Sequence, residues 1–209
     1  MNVLFDSRAG ILELFARLHK LVTDNNTPIN PYTVVHTGDD YLRAQRIGIE
    51  PIGTINNYLR DNWNNFDISR QNIARIEETY LKKPFNYITT IDYVLHCAKD
   101  EEIKKKYFVG YFNFYNTIFS ETTFNIFISE VIVGLWNYIP YLLCKHYNIR
   151  YMGFTNIRLA DRFSFINDEF NTIPQLKDKC FSSTNSVPNG DVIRIINKIT
   201  IQKKQPTYT

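Results

Sequence analysis

The side chains best suited to chemistry stand at the ends of short apolar runs. Glu130 closes the run Asn125–Ser129 and precedes a segment, Gly134 to Tyr147, with helical apolar spacing. If such a run is a parallel strand, its carboxyl end is where ligands collect in open α/β sheets, and a carboxylate there can bind a hydroxyl or take its proton. The competing reading makes Glu130 an acid at a helix N-terminus, matched to the helix dipole. Arg8 follows the run Asn2–Asp6, and Arg158 and Arg162 flank Asp161 after the run Ile149–Phe154. A guanidinium at a strand end can clamp a phosphate or carboxylate with paired N–H groups. For Arg162 the structural alternative is a local ion pair with Asp161. His36 ends the run Thr33–His36, beside Gly38, Asp39 and Asp40. Imidazole titrates near neutral pH and suits proton transfer, although an isolated histidine is more often structural.

The elements that must position these residues alternate. Asn125–Ser129, Gly134–Tyr147 and Ile149–Phe154 read as strand, helix, strand. In the helix Leu135, Ile139, Leu142, Leu143 and His146 form one stripe. A unit of this length is a right-handed βαβ crossover. The first 55 residues repeat the rhythm: a strand at Asn2–Asp6, a helix carrying Ile11, Leu14, Phe15, Leu18, Leu21 and Val22, a strand at Thr33–His36, a short helix from Asp39 to Gly48, and an extended piece at Glu50–Ile55. Ser7 is a candidate cap for the first helix. Asn56–Phe66 reads as irregular. Ser69 can cap a helix from Arg70 to Lys82, another runs from Thr89 or Thr90 through Ala98, and Asp100 caps a long one through Phe119. On the long helix Ile103, Tyr107, Phe108, Tyr111, Phe112, Tyr115 and Phe119 make a broad aromatic stripe, read as core in preference to a ligand platform. Arg162–Ile166 reads as a short strand, and Ile173–Cys180 as a short helix. The fold class expected is therefore α/β: a Rossmann-like parallel sheet flanked by helices, in one domain over residues 1–181. Residues 182–209 read as linker and tail, because Ser182–Gly190 has a linker's composition.

The totals narrow the function. The chain has 209 residues, 44% hydrophobic, and a net charge of +3 from 24 basic and 21 acidic residues. That charge is too small for nucleic-acid binding by electrostatics alone. The run Lys104–Lys106 follows Glu101 and Glu102, an order that favours a solvated helix with i,i+3 and i,i+4 pairs. The 3 cysteines are far apart and fit a reduced compartment, with Cys97 and Cys144 expected in the core. The N-terminus lacks a signal peptide's pattern, and no run of 18 apolar residues exists, so a cytoplasmic protein is expected. Contact with the inner face of the membrane stays open. Neither phosphate-binding glycine fingerprint is present, nor HExxH, GxSxG or a DxD pair. No metal or other cofactor is called for.

The runs YFNFYNTIFSETTFNIFISE, GLWNYIPYLLCKHYNIRYMGF and RLADRFSF, with the strand–helix–strand opening that leads to IEPIGTI, resemble the N-terminal half of bacterial capsular and surface-polysaccharide glycosyltransferases of the two-domain, GT-B-like kind. The resemblance covers about Asn2 to Asn167 and is one of pattern. It implies an acceptor-side domain facing a glycan or lipid-linked acceptor, with Glu130 as base or acceptor ligand and Arg8, His36, Asp39, Arg158 and Arg162 as acceptor-binding residues. Nucleotide sugar would be bound only with a second domain, for which 209 residues leave no room when a domain takes about 100–200. The chain would then be a truncated form or one subunit of a split enzyme. Two rivals remain. A non-catalytic Rossmann-like interaction module would expose a large apolar patch on the helix Ile103–Phe119. A small-molecule enzyme of another α/β type is the third reading.

Overall fold

Asn2–Ser7 forms β1, and one turn of 3-10 helix at Ala9–Ile11 leads into α1 (Leu12–Asp24). There follow β2 (Asn30–Val35), α2 (Gly38–Arg46), β3 (Gly53–Thr54), α3 (Ile55–Asn62), α4 (Arg70–Arg75), α5 (Phe85–Thr90), α6 (Tyr93–Cys97), α7 (Glu101–Glu121), β4 (Ile126–Glu130), α8 (Leu135–His146), β5 (Arg150–Asn156) and β6 (Phe163–Ile166). This computed structural model describes residues 1–25, 27–97, 100–156 and 163–169, all within the unit Met1–Ile173. The expected linker, the tail and the helix Ile173–Cys180 lie outside the described residues, as do Arg158 and Arg162.

The strands form one six-stranded sheet in the order β3-β2-β1-β4-β5-β6. β1 to β5 pair in parallel, and β6 alone is antiparallel, on β5. The fold is thus the α/β, Rossmann-like arrangement, with strand order reversing between β1 and β4. Alternation along β1 divides the core. Val3 and Phe5 meet Phe15 of α1, while Leu4 joins Phe127, Tyr151 and the buried residues of α3, α7 and α8. Helices on both faces explain why these strands read as continuous apolar runs.

Local chemistry sets several boundaries. The Thr37 hydroxyl accepts from the Asp40 N–H at 3.0 Å and the Asp40 carboxylate accepts from the Thr37 N–H at 3.3 Å, a reciprocal cap that starts α2. Gly48, at φ +79, ends that helical segment. Asp100 accepts from the Glu102 N–H at 2.8 Å and starts α7, and Ser69 accepts from the Asn72 N–H at 3.2 Å and starts α4.

The structure corrects other expectations. Asn56–Phe66 is not irregular, since α3 covers most of it. Its weak helix formers are carried by Ile55 and Leu59, which bury against the main core. The helix from Ser69 passes into a π-helical turn at Ile76–Leu81 before Lys82 turns left-handed at φ 53. The single helix expected from Thr89 is two, because Pro84 precedes α5 and the Asp92 carboxylate accepts from the Leu95 N–H at 3.1 Å, opening α6. Ser7 caps nothing: its hydroxyl is buried without a partner. Cys97 is exposed, whereas Cys144 is buried as expected. His146 is exposed at the end of the α8 stripe.

The α7 stripe divides. Phe108, Phe112, Tyr115 and Phe119 are core, and only Ile103 among the apolar residues of the stripe is well exposed. Lys104 pairs with Glu101 and Lys106 with Glu102, each at 2.8 Å, as expected of a solvated face. No described helix is long and apolar enough to cross a membrane.

Candidate functional site

β1 and β4 lie side by side, and the chain leaves their carboxyl ends in opposite directions, through α1 to β2 and through α8 to β5. In open α/β sheets such a reversal of strand order borders a crevice. Arg8 leaves one strand end and Glu130 closes the other. The Arg8 Nε donates to Glu130 Oε2 at 2.6 Å, and its terminal nitrogen lies 2.5 Å from the same oxygen. The Glu130 backbone is fixed from β5, where the Tyr151 hydroxyl donates to its carbonyl at 2.6 Å.

The guanidinium of Arg8 stacks on the Trp136 ring, with 3.8 Å from its central carbon to the ring centre. Trp136 stands in the first turn of α8. That turn is built tightly: the Asn137 carboxamide oxygen accepts from the N–H groups of Val133 and Gly134, each at 3.1 Å, and Asp92 accepts from the Leu135 N–H at 3.1 Å. A Cβ at Gly134 would lie 2.7 Å from the indole nitrogen and 3.0 Å from the Asp92 carboxylate, so only glycine lets these groups close in. Asp92 thus ties α6 to α8.

Beneath the crevice lies a buried polar cluster. Asp6 is fully enclosed, bonded through one oxygen to His36 Nε2 at 2.8 Å and through the other to the Ser129 hydroxyl, which donates at 2.8 Å. His36 meets the Trp136 ring edge-on, with centroids 5.1 Å apart. In the tautomer whose Nε2–H donates to Asp6, Nδ1 is the ring's acceptor. Across the turn from β1, the Ala9 N–H donates to Asp40 at 3.1 Å and holds Ala9 at φ 34, a left-handed conformation that a Cβ disfavours.

Beside Trp136 opens a cavity of about 410 Å3 lined by Asp92, Tyr93, Leu95, Tyr107, Tyr111, Val133 and Trp136. Burial first, then the charges of Tyr107, Asp92 and Asp6, push the Tyr111 phenol far above its ordinary value. It is a neutral hydrogen-bond donor at physiological pH. Burial first and then the Asp6 charge do the same to Tyr115.

Of the residues singled out in the sequence, Arg8, Glu130 and His36 meet at this crevice. Asp39 is exposed in the first turn of α2, one residue before the Asp40 that reaches Ala9. Arg158 and Arg162 lie outside the described residues. Sequence reasoning missed Asp6, Asp92 and Trp136, and assigned Tyr107 and Tyr111 to the core. The signal available was an aspartate inside an apolar run, which is costly unless paired. Among the described residues no cluster of histidine, cysteine and carboxylate side chains is arranged to hold a metal ion. No family model matches the chain, and no curated protein matches it significantly.

Proposed function

We propose that this chain is the acceptor-binding part of a glycosyltransferase of capsular or surface-polysaccharide assembly. The observation that carries the reading is the cavity beside Trp136, where three tyrosine rings and one indole stand around a single carboxylate. A pyranose has an apolar C–H face and a rim of hydroxyl groups. Aromatic rings cover the first, and Asp92 and the Tyr111 phenol bind the second. A glycan or lipid-linked saccharide is the acceptor.

His36 is the base in this reading. Its Nδ1 takes the proton of the acceptor hydroxyl as that oxygen bonds to the anomeric carbon of the donor and the bond from that carbon to the nucleotide diphosphate breaks. Asp6 fixes the tautomer and balances the imidazolium that forms. Glu130, its Oε2 engaged by Arg8, orients the acceptor through its other oxygen. The donor nucleotide sugar is taken only together with a second domain.

The test is transfer from a panel of nucleotide sugars to glycan acceptors by the complete natural protein. His36→Gln is expected to lower the rate by about two to four orders of magnitude while substrate binding persists, the range for losing a general base. Unchanged transfer by His36→Gln removes the base assignment. A chain that binds no glycan and transfers no sugar removes the function.

A further inference from the structure

A second cavity, of about 570 Å3, opens between α1 and the end of α2 and is lined by Glu13, Ala16, Arg17, Lys20, Arg46, Ile47 and Gly48. It shares no lining residue with the crevice. Arg17 and Lys20 lie three apart on α1, hence on one helix face, and Arg46 comes from the last turn of α2. Some cations of the described surface have carboxylate partners, as Arg43 with Glu13 at 2.5 Å, Arg60 with Asp61 and Lys104 with Glu101, whereas others, such as Arg70 and Lys105, have none. Arg17, Lys20 and Arg46 have no such partner among the described residues. The one acid lining the cavity, Glu13, is already neutralised by Arg43. The cavity therefore carries an uncompensated positive charge over an apolar floor of Ala16 and Ile47.

We propose that this cavity is a binding site for a phosphate-bearing ligand, with Arg17 and Arg46 gripping phosphate oxygens from two sides and Lys20 adding a third positive charge. Two guanidinium forks match the planar oxygen pairs of a phosphate, and three cations match the charge of a diphosphate better than that of a single carboxylate. The volume admits a diphosphate with an attached organic group. The inference stands apart from the glycan reading, because it uses none of the same side chains. The same chemistry is offered by a soluble diphosphate and by a phospholipid headgroup.

The experiment titrates the full chain with inorganic pyrophosphate by calorimetry, and separately measures its sedimentation with vesicles containing anionic phospholipid. The double variant Arg17→Ser/Arg46→Ser is compared with Arg60→Ser/Arg70→Ser, which removes the same charge from exposed positions elsewhere. All four substituted residues are exposed, so folding is retained. Saturable pyrophosphate binding, weakened at least tenfold only in the first double variant, supports the site and a soluble ligand. Vesicle binding with the same dependence, and no pyrophosphate binding, supports the site and assigns the phosphate to a lipid. No binding in either arm, or equal weakening by both double variants, overturns the proposal.

Discussion

Arg8 and Glu130, 122 residues apart in the chain, close an ion pair across the point where the sheet reverses direction. The pair joins the ends of β1 and β4, and its guanidinium carries the ring of Trp136. Both partners are partly open to water, which limits what the pair contributes to stability. Glu130→Gln is expected to lower unfolding stability by no more than about 1 kcal/mol, the range for exposed pairs. Arg8→Lys keeps the charge but loses the stacked planar group, so acceptor binding should fall further in Arg8→Lys than stability does. Urea unfolding and glycan titration of the two variants check this.

Asp6 is different because its carboxylate is enclosed. Asp6→Ala leaves His36 and the Ser129 hydroxyl without their partner in the core, and each buried polar group left unsatisfied is expected to cost about 1–3 kcal/mol. Ser129→Ala removes one neutral donor to a charged group and should cost about 1.5–3 kcal/mol. Chemical denaturation of both proteins, with equal m-values required, is the measurement.

Gly110 lies where α7 crosses α3. A Cβ there would sit 2.3 Å from a Leu59 methyl and 2.9 Å from the Phe66 ring, both buried. Alanine is the better helix former by about 1 kcal/mol. Overpacking of about 1–3 kcal/mol opposes that gain and outweighs it, since both neighbours are themselves buried. Gly110→Ala should therefore melt at a lower temperature than the parent, whereas an increase would show that the helices can separate freely.

Buried phenols set the alkaline limit. Burial is the first cause that raises Tyr111, Tyr115, Tyr138 and Tyr151 above their ordinary value of 10.0. The folded state holds these protons more tightly than the unfolded chain. Their contribution is whole below pH 10.0 and is lost as pH rises beyond it. Burial lowers His19 from 6.5, so its contribution is present above that pH and falls on acidification. Absorbance of tyrosinate should show these four phenols ionising only together with unfolding, and unfolding stability should be independent of tyrosine titration between pH 7 and 9.

Much of this fold was legible in the residues because helix and strand periods are local. The alternation of the first 55 residues, the caps at Ser69 and Asp100, and the unit from β4 through β5 all follow from neighbours a few positions apart. α3 was not, because its helix rests on Ile55 and Leu59 meeting a helix about 50 residues later. The site was half legible. Strand ends pointed to Arg8, His36 and Glu130, but the pairing of Arg8 with Glu130 depends on β1 lying beside β4, which no local pattern encodes. Asp6 was hidden within a run whose polarity matters only once His36 and Ser129 arrive from the two flanking strands. On α7 one stripe serves two surroundings: Phe108 and Phe112 face the core, and Tyr107 and Tyr111 line the cavity.

In the proposed function a saccharide lies against Trp136. The chain has 2 tryptophans, so Trp63→Phe leaves Trp136 as the sole indole reporter. Oligosaccharide titration of that protein should give a saturable change in indole fluorescence, weakened at least tenfold by Tyr111→Ala. No saturable change with any glycan of a broad acceptor panel, from a protein still folded by circular dichroism, would contradict the account.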